Sequence, residues 1–238
     1  MRRRLLILGL AVPIAVPVLY LGTAAGADPK PVEFTDARLK VEINATDGDA
    51  GLQIFLDGEA WNTLELLDPQ GNPMLDVDVT GRAENYGLTE LFSESSEPPF
   101  TEFPLDQFKE LFPEGTYTFT GTTIDGTPMT GTATLTHEFP AGPEILSPAA
   151  DSKVPADQVV VQWAPVTKPA GIDITGYQVL VVQEEPVPRV FSADLPATAT
   201  KLSVPAEYVQ PRTDYKVEVL AIEAGGNQTL TELTFRSR

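Results

Sequence analysis

The sequence predicts an all-β protein of two β-sandwich domains in tandem, the first carrying one short helix, behind an N-terminal export signal. Three observations carry that expectation. Short runs of alternating apolar and polar residues recur about every 8 to 12 positions between Pro, Gly and Asp turn signals. A single stretch has a helical period. The charge changes abruptly at a Pro/Gly segment in the middle of the chain, Phe139-Pro140-Ala141-Gly142-Pro143, which marks a domain boundary.

Composition narrows the function before any motif is read. The 238 residues hold 34 acidic and 16 basic side chains, one histidine and no cysteine, for a net charge of -18. Such acidity argues against nucleic-acid binding, which depends on Lys and Arg neutralising phosphates. Without cysteine there are no disulfides, thiol nucleophiles, zinc-thiolate clusters or lipoprotein anchors.

Taken in chain order, Arg2, Arg3 and Arg4 precede an apolar run from Leu5 to Leu21 and the small residues Ala25-Gly26-Ala27, the three parts of a signal peptide over residues 1–27. Cleavage after Ala27 starts the mature chain at Asp28 and places the protein in the periplasm or outside the cell. The alternative is an uncleaved membrane anchor, which Pro13 and Pro17 disfavour. Removing the signal deepens the mature charge to -21. Residues 28–143 then carry 22 acids and 5 bases, whereas residues 144–238 carry 12 and 8.

The domain at residues 28–142 is predicted from its alternation. Leu39, Val41 and Ile43 face one way against Lys40, Glu42 and Asn44, and Leu52, Ile54 and Leu56 repeat the pattern. Asp68-Pro69-Gln70-Gly71 and Asp125-Gly126 read as turns. Pro104 suits a first helical turn, and Leu105, Phe108, Leu111 and Phe112 recur at helical spacing until Pro113 and Gly115 stop them, which predicts a helix plugging the sandwich. In the last strand Thr130, Thr132, Thr134 and Thr136 oppose Ala133, Leu135, His137 and Phe139, so the sole histidine is expected to pack rather than catalyse.

The domain at residues 143–238 has more specific marks. Val159-Val160-Val161-Gln162-Trp163 ends in a core tryptophan, Ile174-Thr175-Gly176-Tyr177-Gln178-Val179 follows, and Val209-Gln210-Pro211-Arg212-Thr213-Asp214-Tyr215 turns into an alternating strand through Val219. These segments resemble the second, third and sixth strands of a fibronectin type III module. The resemblance implies an immunoglobulin-like sandwich with Trp163 in its core and Tyr215 as its corner tyrosine, bonded to backbone. Arg212-Thr213-Asp214 stands where an Arg-Gly-Asp motif is superficially suggested and reads as a turn.

Three groupings carry candidate chemistry. Thr46-Asp47-Gly48-Asp49-Ala50-Gly51 resembles the first half of a calcium loop; Asp47 and Asp49, with Asp57 and Glu59 from across the turn, are the candidate ligands, although Gly58 stands where a bidentate glutamate belongs. No other cofactor is implied. Glu90, Glu94, Glu97 and Glu102 lie beside Phe92 and Phe100, and paired carboxylates can run glycoside hydrolysis. Asn44-Ala45-Thr46 and Asn227-Gln228-Thr229 are formal sequons whose plainer reading is a polar turn or strand end.

The functional expectation is an exported, non-catalytic binding, adhesion or scaffolding protein whose acidic first domain meets the partner, a protein or glycan of the cell envelope or extracellular space with basic character. The alternative is an envelope glycan hydrolase, or an accessory subunit of one, working through carboxylates in residues 90–102. The broader organisation resembles exported bacterial proteins with a fibronectin type III domain and no assigned activity.

Overall fold

The computed structural model describes residues 30–238; the signal-peptide expectation lies outside them. Among the described residues no helix is long and apolar enough to cross a membrane.

The first domain is organised by one long strand. After β1 (Val32–Glu33) and β2 (Asp36–Asn44), β3 runs from Asp49 to Leu67 and changes partners midway. Its first half pairs antiparallel with β2 and with β5 (Leu88–Glu94); its second half pairs with β4 (Pro73–Asp78) and β6 (Gly115–Thr123). The register breaks between Asp57 and Trp61, so the strand bends there from one set of partners to the other. Gly58 makes the bend possible, since a Cβ there would lie 2.9 Å from the Phe34 ring and 3.1 Å from Met129 Cε. Trp61 is wholly buried just beyond it. β6 continues to β7 (Pro128–Leu135), which β1 joins in parallel. Leu39, Val41, Ile43, Leu52, Ile54 and Leu56 all reach the core as their alternation predicts.

The short helix α1 spans Leu105–Leu111, capped by Pro104, and buries Phe108 against the first core. Leu111 departs from the expected apolar face: it is 60% exposed. Seven residues make barely two turns, and Phe108 and Phe112, with ring centroids 4.9 Å apart, take up the side that meets the core.

The second domain has its own core. A three-stranded sheet of β8 (Ile145–Ser147), β10 (Val160–Trp163) and β13 (Lys201–Ser203) faces the strands β12 (Arg189–Pro196), β11 (Ile174–Gln183), β14 (Asp214–Glu223) and β15 (Gln228–Ser237), with β9 (Ser152–Val154) on the far side of β15. Between these layers lie Val161, Trp163, Tyr177, Val179, Val217, Val219 and Phe235. The Trp163 and Tyr177 rings are 5.4 Å apart. At the corner, Tyr215 Oη accepts the Gln210 N–H at 2.7 Å and donates to Gln183 Oε1 at 3.3 Å, so its hydroxyl is satisfied although the residue is buried. Arg212-Thr213-Asp214 forms the turn before β14; Asp214 opens the strand and pairs with Arg236.

The domains are not beads on a linker. β15 pairs in parallel with β2, so one twelve-stranded sheet runs through both. Alternation identifies each strand but not this junction, because a strand buried on one face reads the same whether its edge is free or paired.

Candidate functional site at the domain seam

The seam begins with three register pairs, Glu42 with Gln228, Ile43 with Thr229 and Asn44 with Leu230. The Ala45 N–H donates to the Leu230 carbonyl at 2.9 Å, and the Glu232 N–H to Thr46 Oγ1 at 2.9 Å. Gly142 lets the linker pass close by, since a Cβ there would meet Ala45 Cβ at 2.7 Å.

The β14–β15 hairpin is shaped to deliver Asn227 into this seam. Gly226 takes a φ of 96°, and the buried Glu223 carboxylate accepts the N–H groups of Gly225 and Asn227 at 2.5 and 2.8 Å. Asn227, 1% exposed, then spans the two domains. Its Oδ1 accepts the Val41 N–H at 2.9 Å, and its Nδ2 donates to the Thr136 carbonyl and Oγ1, both at 3.0 Å, and to the Glu138 carbonyl at 3.2 Å. Every polar atom of the side chain is occupied, so the second sequon is a buried structural joint. Asn44 instead closes its own turn, its Oδ1 accepting the N–H groups of Thr46 and Asp47.

A polar cluster lies on the neighbouring face. Glu42, Glu94 and Glu97 each offer a carboxylate oxygen within 4.8 Å of the others. Gln53 donates its amide to Glu42 at 3.2 Å and Glu94 at 2.7 Å, Gln228 donates to Glu42, and Lys40 Nζ reaches Gln228 Oε1 at 3.0 Å. Partial desolvation of this largely exposed side chain, then the charges of Glu94, Asp49 and Glu42, push Glu97 up to about 7. Burial also raises Glu42 against the opposing hydrogen bond from Gln228, and lowers Lys40. Gly51 provides the room: a side chain there would collide with Glu97.

The residues singled out in the sequence are distributed differently. Asp47 and Asp49 sit at the β2–β3 turn, where burial, Asp47 and Glu232 raise Asp49. Asp57 and Glu59 are not across that turn. They lie further along the same strand, Asp57 about 26 Å from Asp49 at roughly 3.3 Å per residue and Glu59 further still, and the four are not brought together. Of the four glutamates, Glu94 and Glu97 converge with Glu42, while Glu90 lies opposite Asp57 and Glu102 precedes α1. Phe100, Phe103 and Phe112 pack on the first core, but Phe92 is 58% exposed beside Phe55, over which the Arg38 guanidinium sits at 4.3 Å. His137 packs as expected, its Nε2 2.8 Å from the Phe112 carbonyl oxygen and its ring 5.7 Å from Phe139. Nothing in the sequence signalled the joint roles of Lys40, Glu42, Asn227 and Gln228. Lys40 and Glu42 were unremarkable polar positions in an alternating strand, and Asn227 and Gln228 stood out only as part of a formal sequon.

Comparison with known proteins gives the second domain its family. Residues 147–236 match the fibronectin type III domain family. No curated protein matches the chain. Similar solved structures include the FN1-FN3 domains of chicken CNTN1, at 14% identity and a TM-score of 0.35; the match covers 89% of this chain and 66% of that one. A two-domain fibronectin type III segment of chicken tenascin has 14% identity and a TM-score of 0.30, covering 88% and 99%. The Clostridium perfringens spore cortex lytic enzyme SleM has 19% identity and a TM-score of 0.28, covering 41% and 27%.

Proposed function

With residues 147–236 forming a fibronectin type III domain, we propose that the protein is an exported, non-catalytic binding or scaffolding module. Its second domain acts as a rigid support and its acidic first domain meets the partner. The observation that carries this reading is the continuous sheet, which fixes the two domains as one body. A support that cannot swing presents its neighbour at a constant angle. The charge then selects the surface: 22 acids against 5 bases lie in residues 28–143. A basic protein or glycan of the envelope or extracellular space is the partner such a field attracts, with encounter weakened by salt. Capture of envelope components on the immobilised full chain, repeated at low and high salt, tests this. Recovery that is equal at both salt concentrations refutes the electrostatic part.

One observation favours a second reading as a glycan hydrolase. Glu94 and Glu97 lie close, and a carboxyl held near 7 can act as an acid beside a second carboxyl group. Glu94→Gln and Glu97→Gln separate the readings: any hydrolysis of envelope glycan by the full chain must fall in both variants if the pair is catalytic.

A further inference from the structure

Gln228 is held in a way that the docking of two strands does not require. It is 4% exposed, and both ends of its carboxamide are engaged by side chains from the other domain. Lys40 Nζ stands 3.0 Å from Oε1, and Nε2 donates to Glu42 Oε2, which also receives the Gln53 amide at 3.2 Å. An amide therefore lies between an amine on its oxygen side and a carboxyl on its nitrogen side. Those are the groups that transamidation needs: a nucleophile at the carbonyl and a proton carrier at the leaving nitrogen.

The surroundings favour the reactive forms of both. Burial, the largest influence on Lys40, lowers its pKa, and Arg38 acts in the same direction, while Glu42, Glu94 and Asp194 oppose them. Burial raises Glu42, assisted by Glu94 and opposed by Gln228, Lys40 and Gln53. A lysine with more neutral amine and a glutamate with more neutral acid are what the two roles demand.

We propose that this seam is a self-modification site at which Lys40 and Gln228 become joined by an ε-(γ-glutamyl)lysine isopeptide bond, with Glu42 as the catalytic proton carrier. The lone pair of neutral Lys40 Nζ attacks Gln228 Cδ, and the carbonyl electrons move onto Oε1. Neutral Glu42 delivers its proton to Nε2 and takes in its place the proton that the attacking nitrogen sheds. Collapse of the tetrahedral centre reforms the carbonyl and breaks the Cδ–Nε2 bond, and ammonia departs. One amine and one primary amide become one secondary amide and one ammonia. Nothing is oxidised or reduced, and Glu42 ends as it began.

The placement gives the bond a purpose. Lys40 and Gln228 lie on β2 and β15, 188 residues apart, so the link closes most of the chain into a loop and staples one domain to the other. It converts a seam of hydrogen bonds into a connection that persists when either domain is pulled or transiently opens.

The test is the intact mass of the full chain, followed by proteolysis and sequencing of the fragments by mass spectrometry. The wild type is expected to be lighter than its processed sequence by one ammonia, with Lys40 and Gln228 in one branched peptide. Lys40→Arg, with folding confirmed by circular dichroism, restores the full mass, and Glu42→Gln slows the loss. A wild-type mass equal to the sequence, with both residues in separate linear peptides, overturns the proposal. So does a deficit that maps elsewhere or survives in Lys40→Arg. Glu42→Gln cross-linking as fast as the wild type removes Glu42 from the mechanism.

Discussion

Replacing Asn227 by aspartate is the sharpest single perturbation of the seam. The change is nearly isosteric and keeps an acceptor for the Val41 N–H. What it removes is the donor end. In place of an amide nitrogen it sets a second oxygen against the Thr136 and Glu138 carbonyls, 3.0 and 3.2 Å away, in a site 1% exposed and next to the Glu223 carboxylate. Buried acceptors left without a donor cost about 1–3 kcal/mol. An uncompensated buried charge raises the penalty to about 3–5 kcal/mol. Asn227→Leu introduces no charge and is expected at about 2 kcal/mol, from the unmet partners alone. Urea unfolding of the full chain measures both, and amide exchange reports where the loss falls: the Val41 and Ala45 N–H groups, which are bonded across the seam, should lose protection first. The reasoning fails if Asn227→Asp unfolds within about 0.5 kcal/mol of the wild type with Val41 protection unchanged.

Other consequences follow from individual residues. Glu97 has a folded pKa of about 7 against an ordinary 4.5, so the folded chain holds the proton more tightly. Its contribution is complete below about 4.5 and is lost as pH rises through about 7. Solvent screening at this exposed carboxylate holds the effect to about 1 kcal/mol, and Glu97→Gln should flatten that part of the stability profile in thermal melts taken from pH 4 to 8. Tyr215→Phe leaves the Gln210 N–H without its acceptor and should cost about 1–3 kcal/mol by chemical denaturation. Gly58→Ala forces a methyl against Phe34 and Met129 where β3 bends, and should lower the stability of the first domain by about 1–3 kcal/mol, visible in melts followed by tryptophan fluorescence at Trp61.

Legibility in the sequence tracked the range of the interaction. Residues whose roles depend on their own strand were readable: the alternation of β2 and β3 gave their core faces, Trp163 and Tyr215 stood in a recognisable order, and Pro104 with Phe108 located α1. The bend in β3 was not readable, because Gly58 among polar residues looks like an ordinary turn and shows its purpose only once Phe34 and Met129 arrive beside it. The calcium grouping was misjudged for a related reason: Asp57 and Glu59 were placed across the turn, whereas β3 runs on unbroken from Asp49 and carries both away from it. Two of the three members of the acidic cluster were readable as a local run, Glu94 and Glu97, while Glu42 joined them from another strand.

The seam also changes what the Pro/Gly segment at 139–143 means. A Pro/Gly stretch between two domains ordinarily signals freedom of one against the other. Here the Ala141 N–H donates to the Lys168 carbonyl at 2.9 Å, Asn227 is bonded to Thr136 and Glu138 just upstream, and Gly142 is fitted against Ala45 and Thr231. The segment's lack of bulk serves close approach rather than motion. Proline restricts the backbone where it must turn from β7 toward β8, and glycine clears the space in which β15 meets β2. The parallel pairing needs that approach, because Ala45 and Leu230 exchange a backbone hydrogen bond directly beside Gly142. Rigidity of the pair therefore rests on the smallest residue in the connection, and Gly142→Val should loosen the seam while leaving both hydrophobic cores intact. Exchange protection at Ala45 should fall with little change at Val217 or Leu56, and equal loss at all three would mean that the linker supports the domains themselves rather than their docking.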